Sequence, residues 1–76
     1  MSQGYSVRLQ RLNAAADIAL VGVRLGRLCL ERDIPVTETA AALQVSRQTV
    51  YNWFCARSTP SPALRVRVEE YISNLG

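Results

Sequence analysis

Histidine and lysine are both missing from this chain, and there are two cysteines, three tyrosines, one tryptophan and one phenylalanine. Without histidine, metal chemistry loses its commonest ligand, and Ser6, Ser46 and Ser58 have no imidazole base to make them nucleophiles. Cys29 and Cys55 show no CxxC or Cys/His spacing, so reduced thiols in a cytoplasmic protein are expected rather than a disulfide framework or a zinc site. Long apolar runs are missing too. Arg24, Arg27, Glu31 and Arg32 interrupt the most hydrophobic region, which excludes a membrane span of about eighteen residues. The first ten residues carry no apolar h-region, so no signal peptide is expected. The six carboxylates form no pair with acid/base spacing and there is no phosphate loop, so neither an enzyme nor a small-molecule cofactor is expected. At 76 residues the chain reads as a single domain, 1–76, and a domain of this size buries only about 60% of its unfolded surface, leaving little room for a large cleft.

What is present is arginine. It supplies all nine basic residues, giving a net charge of +3 and a pI near 9.4, within the range of nucleic-acid-binding domains. A slightly basic soluble domain is common, so charge alone does not choose a function.

Helix signals run throughout and strand alternation is absent. Val7, Leu12, Ala15, Ala19, Val21, Leu25, Leu28 and Cys29 fall near one helical stripe, with Ser6 and Asn13 as N-cap candidates. A break near Asn13 divides this region into an N-terminal extension, 1–13, and a first core helix, 14–33. Gly22 and Gly26, four apart, mark the close approach of a neighbouring helix. Pro35 ends the helix near Asp33.

Two short helices follow. Thr37 is an N-cap candidate with Glu38 in the first turn, ahead of the helix-forming Ala40, Ala41, Ala42 and Leu43. After a turn of three or four residues Ser46 caps a second helix reaching about Ala56, in which Val50 and Trp53 repeat at a helical interval. This is helix-turn-helix spacing over 37–56, and a helix of this kind fits the DNA major groove. Ser61 as N-cap and Pro62 at the first helical position announce a last helix, 61–75, whose stripe is Leu64, Val68, Tyr71, Ile72 and Leu75. The fold class is all-α, with four or five helices.

With "ERDI" closing the first core helix, "TETAAALQVSRQTVYNW" and "RSTPSP", the stretch from Val21 to Leu75 resembles the helix-turn-helix domains of the Cro and phage-repressor type. The resemblance implies a compact lambda-repressor-like domain. It matches Ala40 to the small residue of the first motif helix, Leu43 and Val45 to the apolar residues flanking the turn, and Val50 and Trp53 to the core of the reading helix. Asp33, Gln44 and Ala56 stand where such domains usually have glycine.

With Val50 and Trp53 inward, Arg47, Gln48, Tyr51 and Asn52 project outward. Arg47 suits guanine O6 and N7, while Gln48 and Asn52 suit adenine N6 and N7. The resemblance gives these three positions as the usual base readers. Thr37, Thr49, Tyr51, Arg57 and Thr59 are candidates for the DNA backbone. Arg8 and Arg11 lie in the extension, where arginines are commonly only solubilising. Phe54 is open between packing under the last helix and forming, with Val66, an apolar patch for a second copy.

The expected function is that of a small Cro- or repressor-like transcriptional regulator of phage or mobile-element type, a homodimer on double-stranded DNA. A protein-interaction module built on the same scaffold and a DNA-architectural or recombination accessory factor remain as alternatives.

Overall fold

A computed structural model describes residues 5–75 as five helices: α1 (Val7–Ala15), α2 (Val21–Glu31), α3 (Val36–Leu43), α4 (Arg47–Phe54) and α5 (Pro62–Leu75). No strand occurs among the described residues.

Ser6 starts α1, its Oγ accepting from the Leu9 amide, and the helix runs past Asn13 to Ala15. The break expected near Asn13 therefore lies further on. Asp17 makes it: its Oδ1 accepts from the Ala19 amide and its carbonyl from the Leu20 amide, a side-chain-closed turn that competes with helix. The first core helix accordingly begins at Val21 rather than 14, and Ala19 is exposed.

Asn13 caps nothing. Fully buried, it donates through Nδ2 to the carbonyls of Val23 (3.1 Å) and Phe54 (2.9 Å), while Arg27 Nε donates to its Oδ1 at 3.0 Å and Arg27 Nη2 to its carbonyl at 3.0 Å. One amide thus joins α1, α2 and the end of α4. The stripe expected for α1 is rotated with it. Tyr5, Leu9 and Asn13 are buried, whereas Val7 and Leu12 face solvent. From Tyr5 onward, the stretch expected as an extension is a packed part of the fold, while residues 1–4 lie outside the described residues.

Gly22 and Gly26 form the seam between α2 and α4. A Cβ on Gly22 would lie 2.7 Å from Trp53 Cβ, and one on Gly26 would lie 2.6 Å from Asn13 Nδ2 and 2.8 Å from Phe54 Cγ. Real side chains do not approach so closely, so any larger residue forces the two helices apart.

Asp33, Gln44 and Ala56 adopt φ of 54°, 58° and 63°, the left-handed conformation that favours glycine. In each case the next residue's amide reaches back five positions: Ile34 to Cys29, Val45 to Ala40, and Arg57 to Asn52, at 2.9, 3.0 and 2.9 Å. These are Schellman closures that satisfy the last carbonyls of α2, α3 and α4. The three positions read as missing glycines are the three that need glycine geometry.

Pro35, not Thr37, precedes the first residue of α3, and no side chain caps that helix. Val36 is buried there, which fixes the start one residue earlier than the expected cap. Ser61 and Pro62 begin α5 as expected, Ser61 accepting from the Leu64 amide through Oγ and from the Arg65 amide through its carbonyl.

Candidate nucleic-acid interface

The turn of α3 and α4 is only three residues long, 44–46, and its left-handed Gln44 points the second helix away from the first. Ser46 then fixes the start of α4, its Oγ accepting from the Thr49 amide at 3.1 Å and meeting Thr49 Oγ1 at 2.9 Å. Successive residues advance about 100° around a helix, so α4 has a sealed side and a free one. Val50, Trp53 and Phe54 form the sealed side and are 0%, 3% and 0% exposed. Phe54 is a core residue against the Gly26 backbone, so an apolar patch shared with the exposed Val66 does not form.

Arg47 and Gln48 are exposed on the free side and Asn52 is half-exposed beside them. Gln48 Nε2 donates to Asn52 Oδ1 at 3.0 Å, so the two amides stand as one bonded pair. Gln48 keeps its Oε1 acceptor and a second N–H, and Asn52 keeps both of its N–H donors.

The five backbone candidates are not equivalent. Tyr51 is half-buried, wedged edge-on against Phe54 (centroids 6.4 Å apart) and Tyr5 (6.5 Å), with its ring spent on packing. Thr49 is half-buried and its hydroxyl is engaged with Ser46. Thr37 is exposed in the first turn of α3 beside Glu38. Arg57 is exposed just past α4. Thr59 stands apart, lining a small cleft with Ala19, Leu20, Val21, Pro60 and Arg65 between the start of α2 and the start of α5.

Four arginines are committed elsewhere. Arg24 pairs with Glu69, Arg27 holds Asn13, Arg32 donates to the Leu75 carbonyl and Arg67 to Gln44 Oε1. Arg8, given little weight from sequence, lines a cleft together with Arg57, and the charges of both lower the Cys55 thiol. Burial pushes that thiol up, and the two arginines pull it part of the way back. No local pattern signals this meeting, because the two arginines are far apart in sequence and converge only when α1 docks.

No helix among the described residues is long and apolar enough to cross a membrane. Residues 24–60 match the family model of the homeodomain-like domain, a segment just under half of the chain that takes in most of α2 and both helices of the motif. No curated protein and no solved structure matches the chain. The geometry and the family match agree on a helix-turn-helix domain.

Proposed function

We propose that this protein binds double-stranded DNA in a sequence-specific way, laying α4 in the major groove, as a small transcriptional regulator of Cro or repressor type. The observation that carries this reading is the division of α4: three residues locked in the core, and Arg47 with the bonded Gln48–Asn52 pair presented outward. The free acceptor and second N–H of Gln48 match adenine N6 and N7, with Asn52 holding the amide in place, and Arg47 matches guanine O6 and N7. The exposed Thr37 in the first turn of α3 and the exposed Arg57 just past α4 would contact the DNA backbone. Two copies related by a two-fold axis would read half-sites about 34 Å apart, because one module of this size makes few base contacts.

Selection of bound sequences from a random duplex pool tests it. The expected result is a two-fold consensus for the native chain. Gln48→Ala should lose preference at one base pair of each half-site, by about 1–3 kcal/mol, with unfolding unchanged. An identical consensus for the variant, or retention of no duplex at all, overturns the reading.

A further inference from the structure

Past the C-terminal end of α4, a cleft of about 340 Å³ opens between that helix and α1, lined by Ser6, Arg8, Leu9, Leu12, Tyr51 and Arg57. We propose that this cleft is a phosphate clamp, in which Arg8 and Arg57 grip one backbone phosphate of DNA flanking the bases read by α4. The inference rests on the DNA-binding reading above and deepens it by assigning the appended helix α1 a part in binding.

Three observations carry it. The lining contains two guanidiniums and no carboxylate, and neither arginine makes a hydrogen bond or ion pair among the described residues. Two like charges brought together by tertiary packing repel one another unless an anion lies between them, and paired arginines match the geometry of a phosphate. The position fits as well. Tyr51, one helical turn on from Gln48, and Arg57, just past the end of α4, both line the cleft. The cleft therefore continues the outward face of α4 where a groove-bound helix leaves the bases and meets the sugar–phosphate strand. Finally, the walls are fixed. Tyr51 packs edge-on against Tyr5 and Phe54, and Leu9 is buried, so the exposed Arg8 springs from a helix whose register is held by Asn13.

The test uses the full chain, Arg8→Gln and Arg57→Gln, on duplexes of the selected sequence in which single phosphates are replaced by neutral methylphosphonates. The native chain should lose about tenfold in affinity at one flanking position, and Arg8→Gln about tenfold on the unmodified duplex, roughly one charged hydrogen-bonded contact. The double variant Arg8→Gln with Arg57→Gln should then be indifferent to that methylphosphonate, and the loss from Arg8→Gln alone should be the same on selected and scrambled sequences. Because Arg8 is exposed, its unfolding curve should match the native one. If Arg8→Gln binds like the native chain, or the double variant stays sensitive at the same phosphate, the clamp is overturned while base reading by α4 stands. If the native chain retains no duplex, base reading itself falls and takes the clamp with it. Occupation of the cleft by inorganic phosphate without any effect of Arg8→Gln on duplex binding also overturns the proposal.

Discussion

The helices α1 and α5 flank the helix-turn-helix and hold to it by different means. The shorter, α1, packs on α2 and α4 and is fastened by a polar knot, Asn13 with Val23, Phe54 and Arg27. The longer, α5, packs on α2 and α3 through apolar residues, Val68 fully buried and Leu64, Tyr71 and Ile72 half-buried around it, and adds the polar contacts Arg24–Glu69, Thr39–Tyr71, Arg32–Leu75 and Arg67–Gln44. Hydrophobic contact is roughly proportional to area and tolerates small shifts. A buried amide is directional, and its loss strands every partner it leaves. The buried polar attachment of α1 is therefore concentrated in one residue, while the apolar attachment of α5 is spread over four.

Replacing the centre of each attachment should expose the difference most strongly. Asn13→Ala takes the donor from the buried Phe54 carbonyl, at about 1–3 kcal/mol, and the Oδ1 acceptor from Arg27, at about 1.5–3 kcal/mol, and should cost about 3–6 kcal/mol. A domain of this size has little more than that to lose, so loss of cooperative urea unfolding is expected. Val68→Ala removes two methyl-sized groups from the α5 contact and should cost about 2 kcal/mol by the same measurement. Equal costs for the two would erase the distinction.

The left-handed positions sharpen the comparison with smaller effects. Ala56 follows α4 on the α1 side, while Gln44 accepts a long, exposed hydrogen bond from Arg67 of α5. Glycine relieves about 1 kcal/mol of strain at either site. Ala56→Gly should gain most of that in thermal unfolding, and Gln44→Gly slightly less because it gives up the Arg67 contact.

The smallest effect is alkaline. Burial is the first cause of the raised values of Tyr5 beside α1, Tyr71 on α5, Cys29 and Cys55. Since the unfolded chain ionises first, these groups contribute stability below their ordinary values of 9.0 for the thiols and 10.0 for the tyrosines, and lose it as pH rises through them. Tyr5 also donates to the Ile34 carbonyl at 2.6 Å, a bond that an ionised phenol cannot make. Urea midpoints at about pH 7 and about pH 10.5 should fall more steeply for the native chain than for Tyr5→Phe. Parallel slopes would show that Tyr5 contributes nothing to the alkaline limit.

The contrast also marks how far the sequence could be read. The periodicity of α4 and α5, the Ser46 and Ser61 caps, the Gly22–Gly26 seam and the three unglycined corners are local signals, and the structure places them where they were expected, whereas the stripe drawn through α1 is rotated. Asn13 looked like a cap because asparagine is common at caps; its real partners, Val23 and Phe54, lie 10 and 41 residues away. Phe54 stood open between packing under the last helix and a patch with Val66 because its position was judged from α4 alone, whereas Tyr5, just ahead of α1, packs against it. On the candidate interface, the outward set on α4 followed from period alone. The Gln48–Asn52 bond and the Arg8–Arg57 cleft depend on side-chain conformation and docking, which period does not encode.

The seam has a practical use. Trp53 is the chain's only tryptophan; its backbone lies against Gly22, and it is 3% exposed on the side of α4 away from Gln48 and Asn52. Its ultraviolet emission is thus an internal gauge of whether α2 and α4 remain joined, with the outward amides at a distance from the fluorophore. A substitution that abolishes duplex retention but preserves that emission has altered recognition, and one that red-shifts it has opened the fold.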